Sequence, residues 1–345
     1  MSEIARDSVR DILLIGVARI GDTLLLTPAM RALKERYPAA RLTVLAHPKR
    51  CEVLENLDFI DTLGPITKNT ALLKGWLPGR QFDLAFVYGR DAALLSYALR
   101  SSQRVYCFAD QELPAAADGR LFPVERPHGV HAVRERQALV EAAGVQASDW
   151  RLAYRVRPEE KQAAEQLLAG RGVLERRPRV GLQAFSFPTK AHRDWPLENF
   201  SRLIERVLDA HPDALFLILG DAGAAVRAKP LAERFPAQVE VVAGNQSLRA
   251  SAALMSLLDL YVGVDTGPTH IAGALGVPMV AMYHHLYPGA NLAPLQNPQC
   301  TIVEHPATGQ SATAATSGME AIPADTIAAH ALERLAPAAA IGEKS

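Results

Sequence analysis

The chain has 345 residues, a length that corresponds to about two domains of ordinary size. Lysine and arginine together number 37, as do aspartate and glutamate, so the formal net charge is zero. Nucleic-acid binders normally carry a basic excess, and we therefore expect no nucleic-acid partner. The three cysteines, Cys51, Cys107 and Cys300, form no CxxC pair, which argues against a disulfide framework and a zinc site.

Residues 1–11 contain acids and lack an apolar core, so this segment does not resemble a secretory signal peptide. The apolar run at residues 12–17 is much shorter than the roughly 20 residues that span a bilayer. We therefore expect a cytoplasmic protein. Peripheral contact with the cytoplasmic face of the inner membrane is compatible with this location.

Short apolar runs alternate with longer amphipathic stretches in the first half of the chain. The predicted strands are residues 12–17, 42–46, 83–88 and 104–108. The predicted helices are residues 23–37, 50–57, 92–100 and 132–143. Pro28 should kink the first helix, because its ring removes a backbone hydrogen bond. Residues 110–129 lack periodicity and are interpreted as a surface loop or, alternatively, as an acceptor-binding loop.

The same alternation restarts in the second half of the chain. The predicted strands are residues 179–183, 215–219, 239–242, 258–264 and 279–283. The predicted helices begin near Leu197, Ala222, Leu248 and Pro268, and a last helix covers residues 324–335. The pattern predicts an α/β protein with two Rossmann-like units, each built on a parallel sheet.

We assign residues 1–155 to an N-terminal Rossmann-like domain and residues 175–345 to a C-terminal Rossmann-like domain. Residues 156–174 are taken as the linker, and the last helix is a candidate to pack back on the N-terminal domain. We expect the two sheets to face each other across a cleft. Since ligands of open α/β sheets bind beyond the carboxyl ends of the strands, the functional residues should directly follow the strands.

A Gly-Asp pair follows the first predicted strand, where residues 19–23 read Arg19, Ile20, Gly21, Asp22 and Thr23. The spacing of the glycines is not GxGxxG, so a dinucleotide fingerprint is absent. Asp22 is a candidate general base that projects from a glycine loop to an acceptor hydroxyl. The alternative is a helix cap, or an acid stabilised by the helix dipole.

A second signal follows the strand at residues 258–264. Its candidate donor-binding residues are Asp265, Thr266, Gly267, Thr269 and His270. Pro268 suits the first turn of a helix, and the free N–H groups of such a turn form an anion site suited to a diphosphate. An ordinary strand-to-helix turn would have the same composition.

A third signal lies at residues 186–196, where two hydroxyls and two cations precede a helix. Ser186, Thr189, Lys190 and Arg193 are candidate donor-binding residues, and the two cations could form a clamp on the same diphosphate. The alternative is a solvated loop anchored by a buried Trp195. His284 and His285 are adjacent and lack a carboxylate pattern, so no metal site is predicted there.

Three motifs carry a family resemblance in their order and spacing. They are ILLIGVARIGD at residues 12–22 with PAMRAL at 28–33 and YP at 37–38, RDWPLENF at 193–200, and SL at 247–248 with VDTGPTHIAGALG at 264–276. In these motifs the chain resembles glycosyltransferase family 9, the heptosyltransferase family of bacterial lipopolysaccharide synthesis. The resemblance extends over about residues 10–335.

The resemblance implies a GT-B fold, an inverting mechanism, and neither a metal nor another cofactor. It implies that Asp22 is the base and that Asp265, Thr266 and Gly267 bind the sugar and diphosphate of the donor. The basic residue two positions before the tryptophan, here Arg193, would bind phosphate. Two departures concern the donor: only Asp221 stands where the family often has a ribose-binding Glu, and residues 284–288 replace the frequent Gly-Pro-Thr-Asp-Pro.

The resulting prediction is an inverting glycosyltransferase that moves a heptose from ADP-L-glycero-D-manno-heptose to a hydroxyl of a lipopolysaccharide core or related surface glycan. The expected partners are a nucleotide sugar and a glycan or glycolipid acceptor. The alternatives are another donor with a protein or polysaccharide acceptor, a sugar-nucleotide epimerase or hydrolase, and a non-catalytic nucleotide-sugar-binding protein of the same fold.

Overall fold

The structure is a computed structural model that describes residues 8–74, 81–111, 113, 119–244, 246–310 and 318–336. The chain divides into two compact units, Met1–Arg155 and Val156–Ser345. The Ala-rich tail at residues 337–345 lies outside the described residues, as does part of the predicted loop at 110–129.

The first unit is built on a six-stranded sheet in which every strand pair is parallel, in the order β3-β2-β1-β4-β5-β6. Its strands are β1 (Asp11–Gly16), β2 (Arg41–Ala46), β3 (Thr62–Pro65), β4 (Phe82–Tyr88), β5 (Ser102–Phe108) and β6 (Leu121–Val124). Its helices are α1 (Ile20–Leu24), α2 (Thr27–Arg36), α3 (Lys68–Leu73), α4 (Ala92–Ser101) and α5 (Ala132–Glu141). The central strands are apolar on both faces because helices cover both faces of the sheet.

The predicted helix at residues 23–37 is two helices, α1 and α2, and Pro28 lies in the first turn of α2. A proline in the first turn costs no helical hydrogen bond, so the chain breaks before it and restarts. Gly16 ends β1, where a Cβ atom would stand 2.6 Å from Leu26 Cδ1. The glycine therefore leaves room for Leu26, which lies between the two helices, to pack against the end of β1.

The second unit is built on another six-stranded parallel sheet, in the order β12-β11-β10-β7-β8-β9. Its strands are β7 (Arg179–Gln183), β8 (Leu215–Ile218), β9 (Val239–Val241), β10 (Leu260–Val264), β11 (Met279–Tyr283) and β12 (Cys300–Glu304). Its helices are α6 (Pro158–Gly170), α7 (Leu197–Ala210), α8 (Ala222–Arg227), α9 (Lys229–Arg234), α10 (Leu248–Met255), α11 (Gly267–Ala274), α12 (Gly289–Leu292) and α13 (Ala324–Leu335).

Trp195 is an anchor of the second core. It is 1% exposed, meets the Phe200 ring edge-on with centroids 4.8 Å apart, and donates from Nε1 to the Ile322 carbonyl at 3.0 Å. These contacts fix the end of the 186–196 loop, and they also hold the segment that leads into α13. The structure therefore confirms the buried tryptophan of that loop.

The prediction of two α/β units with parallel sheets is confirmed, and several details differ. The helix expected at residues 50–57 is a 3-10 helix at Pro48–Val53, and β6 lies within the predicted loop at 110–129. Edge strands β3 and β12 were not predicted, because edge strands are short and half-exposed and so lack a long apolar run.

Two details of the second unit concern the predicted domain bounds. The predicted linker at residues 156–174 contains α6, which packs in the second unit through an ion pair of Glu160 with the buried Arg249 of α10. The last helix, α13, belongs to the second unit, where Ile327, Ala328 and Ala331 enter the core.

Candidate active site

Asp22 lies in α1, directly beyond the carboxyl end of β1. Its Oδ1 accepts a 2.7 Å hydrogen bond from Nη2 of Arg136, a residue of α5, and its side chain is 45% exposed. The α1 helix begins after Arg19, whose side chain makes no capping hydrogen bond. Asp22 is therefore not the cap of this helix, and its carboxylate is held by an arginine while remaining open to a ligand.

A cavity of about 380 Å³ adjoins Asp22 at the carboxyl ends of β1, β4 and β5. Its lining includes three arginines and two carboxylates, Arg90, Arg126, Arg136, Asp22 and Glu135. Arg126 pairs with Glu135, and its Nε lies 2.8 Å from Oδ2 of Asp110. The first unit thus places a charged, water-accessible cavity where open α/β sheets bind their ligands.

The other predicted residues of this loop have local roles. Arg19 is exposed, and its carbonyl accepts hydrogen bonds from both the N–H and the hydroxyl of Thr23 at 2.8 Å. Thr23 is completely buried, so its hydroxyl satisfies the first turn of α1 instead of facing the cavity. Gly21 sits in the same turn and accepts from the Leu25 N–H at 3.0 Å.

In the second unit, Asp265 directly follows β10 and is almost completely buried. Its Oδ2 accepts from Arg193 Nη1 at 2.7 Å, and its Oδ1 lies 3.7 Å from Nε2 of His270. The Arg193 side chain is 16% exposed. Two of the three sequence signals, at residues 186–196 and 264–270, therefore converge at the carboxyl edge of the second sheet.

Tyr287, beyond the end of β11, contacts both predicted cations. The Arg193 guanidinium carbon lies 3.7 Å from the centre of the Tyr287 ring. Lys190 Nζ lies 3.4 Å from the Tyr287 hydroxyl. Hydrogen bonding with Arg193, and then with Lys190, lowers the pKa of the Tyr287 phenol.

The first turn of α11 is partly exposed. Thr266 stands at the N-cap without a capping side-chain hydrogen bond, and Pro268 lies in the first turn. Thr269 is fully buried, and its hydroxyl donates to the Val264 carbonyl at 2.6 Å. Thr269 therefore closes the strand-to-helix turn, and Thr266 and Gly267 are the partly exposed residues that could meet a ligand.

Ser186 organises its loop. Its N–H and its hydroxyl each lie 2.7 Å from Oδ1 of Asp194, and the hydroxyl is also 2.6 Å from the Lys190 carbonyl. Asp194 in turn accepts from Arg227 Nη2 at 2.6 Å. Ser186 thus supports the backbone that carries Lys190, whereas Thr189 is exposed.

Asp221 caps α8 by accepting from the Ala224 N–H at 2.9 Å. The preceding Gly220 has φ of +134°, and a Cβ atom there would stand 2.6 Å from the Ala224 Cβ. A glycine is required at this position because other residues rarely adopt that conformation. One Asp221 oxygen is thus committed to the helix, and a ribose contact stays a prediction.

Four histidines cluster beside Tyr287: His192, His284, His285 and His305. The His284 ring centre lies 5.2, 4.1 and 5.7 Å from those of His192, His285 and His305. Burial, reinforced by the neighbouring histidines and Arg193, lowers the His284 pKa to about 4. Among the described residues, no group of three or more His, Cys, Asp or Glu side chains is arranged to hold a metal ion.

A larger cavity, of about 580 Å³, lies elsewhere in the second unit beside Arg177, His211, Asp259 and Arg334. It sits at the amino ends of β7, β10 and β11, the edge that α/β sheets do not use for ligands. In the part of the chain that the structure describes, no helix is both long and apolar enough to cross a membrane.

The model of glycosyltransferase family 9 (heptosyltransferase) matches residues 80–317. The chain belongs to this family. The match covers more than half of the chain and includes the motifs at residues 193–200 and 264–276. The family assignment makes the protein a glycosyltransferase of the heptosyltransferase family, as the sequence motifs predicted.

Two curated relatives are lipopolysaccharide heptosyltransferases. Lipopolysaccharide core heptosyltransferase OpsX of Haemophilus influenzae is 23% identical, and the alignment covers 84% of this chain and 83% of the relative. Lipopolysaccharide heptosyltransferase 3 of Escherichia coli K12 is 25% identical, with coverage of 76% and 79%.

The fold is shared with solved glycosyltransferases. A family 9 glycosyltransferase of Veillonella parvula superposes with a TM-score of 0.78 at 18% identity, covering 94% of this chain and 97% of that one. ADP-heptose heptosyltransferase II of E. coli gives a TM-score of 0.72 at 17% identity, with coverage of 94% and 98%. The GT-B fold expected from the sequence is therefore confirmed.

Sequence reasoning did not find the arginines around Asp22 or the role of Tyr287. Arg136 lies 114 positions after Asp22, in the middle of an ordinary amphipathic helix, so its partner is set by the fold. Tyr287 stands in the segment that departs from the family pattern, and that departure is the one signal that pointed to it.

Proposed function

We propose that this glycosyltransferase transfers a heptose from ADP-L-glycero-D-manno-heptose to a hydroxyl of a lipopolysaccharide core or related surface glycan, with inversion at the anomeric carbon. The observation that carries the proposal is Asp22, a partly exposed carboxylate held by Arg136 at the wall of a charged cavity. Its position beyond β1 is where the family resemblance expects a base.

The relatives support the donor and the acceptor class. OpsX is a lipopolysaccharide core heptosyltransferase, and the E. coli heptosyltransferase WaaC has been solved with ADP, with a TM-score of 0.70 at 16% identity to this chain. We propose that the second unit binds the nucleotide sugar and the first unit binds the glycan or glycolipid acceptor. Both would act at the cytoplasmic face of the inner membrane.

The reaction requires a base for the acceptor. The acceptor hydroxyl attacks the anomeric carbon from the face opposite the nucleotide, and Asp22 takes its proton as the new C–O bond forms. Inversion results because a single displacement breaks the bond to the diphosphate on the opposite side, as in inverting glycosidases with a sugar hydroxyl in place of water.

The leaving diphosphate needs charge stabilisation and not a proton. Arg193, Lys190 and the start of α11 with Thr266 and Gly267 lie together at the carboxyl edge of the second sheet. Cationic side chains and helix N–H groups can balance the developing charge without a metal ion. We therefore propose that transfer proceeds without a metal or a resident cofactor.

The test is transfer with purified protein, ADP-heptose and a lipopolysaccharide core acceptor, with the anomeric configuration of the product read by NMR. Product with the inverted configuration, formed equally in excess EDTA, is expected. Retained configuration would refute the single displacement, and consumption of donor without acceptor would favour a hydrolase or an epimerase. Binding of ADP without turnover on any acceptor would favour a non-catalytic protein.

A further inference from the structure

Arg193 and Lys190 differ in how their charges are balanced. Arg193 Nη1 is bound by Asp265 Oδ2 at 2.7 Å, and the Asp265 side chain is only 5% exposed. None of the described carboxylates lies within salt-bridge distance of Lys190. The two cations of the loop are therefore not equivalent: one is neutralised by a buried acid and the other is not.

Tyr287 is the side chain that both cations share. Its ring face lies against the Arg193 guanidinium, whose carbon is 3.7 Å from the ring centre, while Asp265 accepts a hydrogen bond from Nη1 of the same group. Its hydroxyl lies 3.4 Å from Lys190 Nζ. A single tyrosine thus contacts Arg193 through its π face, and its hydroxyl interacts with Lys190 and with Arg193.

The backbone around Tyr287 makes this placement specific. The Tyr287 N–H donates to the His284 carbonyl at 2.8 Å, which closes a tight turn directly after β11. The neighbouring Leu286 is 62% exposed, so the turn presents the tyrosine and not the leucine to the 188–193 loop. His192 lies on the same side, its ring centre 6.3 Å from that of Tyr287.

We propose that Tyr287 is a positioning residue that holds Lys190 and Arg193 in place for the diphosphate of the donor. The ring positions Arg193, whose charge is largely balanced by Asp265. The hydroxyl positions Lys190, which supplies the unbalanced positive charge and is the cation that contacts the diphosphate. This inference rests on the proposed function only in taking a nucleoside diphosphate as the ligand of this edge.

The assignment departs from the family resemblance, which places phosphate binding two positions before the tryptophan, at Arg193. Asp265 engages Nη1 of Arg193 at 2.7 Å and balances its charge, so a diphosphate gains less net attraction from Arg193 than from a cation without a carboxylate partner. Lys190, three positions earlier, has no such partner among the described residues. Residues 284–288, which replace the common family motif, supply Tyr287. This tyrosine holds Lys190 in place, so that Lys190 can take the phosphate-binding role that the resemblance gives to Arg193.

The experiment compares Tyr287→Phe, Tyr287→Leu and Lys190→Met with Leu286→Ala, an exposed neighbour that serves as the matched control. Dissociation constants are measured by calorimetry for ADP and by ligand-observed NMR for adenosine, which lacks the diphosphate. Tyr287→Phe should weaken ADP about threefold and Tyr287→Leu about tenfold or more, with adenosine unchanged in both. In the Lys190→Met background, Tyr287→Phe should weaken ADP binding less than it does in the wild type, because the hydroxyl then has only Arg193 to hold.

Equal weakening of ADP and adenosine would show a merely structural tyrosine and overturn the inference. Unchanged ADP affinity in Tyr287→Leu would overturn it as well, and so would Lys190→Met binding ADP as tightly as the wild type. UDP, GDP and CDP with their nucleosides are measured in parallel. Preference for one of them would refute the ADP-linked donor while still testing Tyr287, and binding of no nucleoside diphosphate would overturn both.

Discussion

Replacing Asp22 by asparagine separates the proposed base from the fold. Asparagine has the same shape, and its amide oxygen can still accept the hydrogen bond from Arg136 Nη2 that now measures 2.7 Å. The ion pair is half-exposed on the Asp22 side, at 45%. Such pairs contribute about 1 kcal/mol or less, so the free energy of unfolding should hardly change.

The effect on turnover should be much larger than the effect on stability. An amide cannot take the proton of the acceptor hydroxyl, and removal of a positioned general base costs about 10²- to 10⁴-fold in rate. We therefore expect kcat to fall by that factor in Asp22→Asn. The affinity for ADP should stay within about twofold of the wild type, since the proposed donor residues lie in the second unit.

Glu135→Gln is the matched control for this prediction. It removes one carboxylate charge from the same cavity, where Glu135 pairs with Arg126, but leaves Asp22 in place. Steady-state transfer assays should show an effect on the KM for the acceptor in Glu135→Gln and a collapse of kcat only in Asp22→Asn. Equal turnover in Asp22→Asn and the wild type would refute the assignment of the base. Equal losses of kcat in Asp22→Asn and Glu135→Gln would show that Asp22 contributes only its charge to the cavity.

Three further predictions concern the second unit. Arg193→Met should lower the free energy of unfolding by about 3–5 kcal/mol, because it leaves the buried Asp265 carboxylate without its partner. Urea unfolding checks this: the double variant Arg193→Met/Asp265→Leu should regain most of the lost stability. Trp195→Phe should cost about 1–3 kcal/mol in the same assay, because the Ile322 carbonyl loses its buried donor, and an unchanged midpoint would contradict this. The pKa of His284 is depressed from 6.5 to about 4. Its contribution to the free energy of unfolding is therefore fully present above pH 6.5 and declines by at most about 3 kcal/mol as the pH falls toward 4. His284→Gln should flatten this slope when unfolding is measured as a function of pH.

The elements that the sequence predicted well are those with long apolar runs or strong end signals. Residues 12–17 and 279–283 are central strands whose buried faces leave no room for polar residues, and β11 was placed correctly at both ends. The last helix, after Pro323, was also placed correctly at both ends. The break before Pro28 followed from the covalent chemistry of proline, which acts locally whatever the fold.

The prediction failed where the signal was not local. Edge strands β3 and β12 are half-exposed, so their pairing with a neighbour and not an apolar run makes them strands. The α6 helix lies in the segment taken as the linker, and it joins the second unit with an ion pair between Glu160 and Arg249, which are 89 residues apart. The periodicity of a segment says nothing about which distant residues it will contact.

Some residues of the candidate site could be predicted from the sequence, and their partners could not. Asp22, Asp265 and Arg193 could be singled out from the sequence, because polar residues that follow apolar strands must lie at the ligand-binding edge of a parallel sheet. The pairing of Asp22 with Arg136 and the contact of Tyr287 with two cations could not be predicted. Those partners come from separate helices and turns, and only the packing of the sheets and helices decides which side chains finally meet.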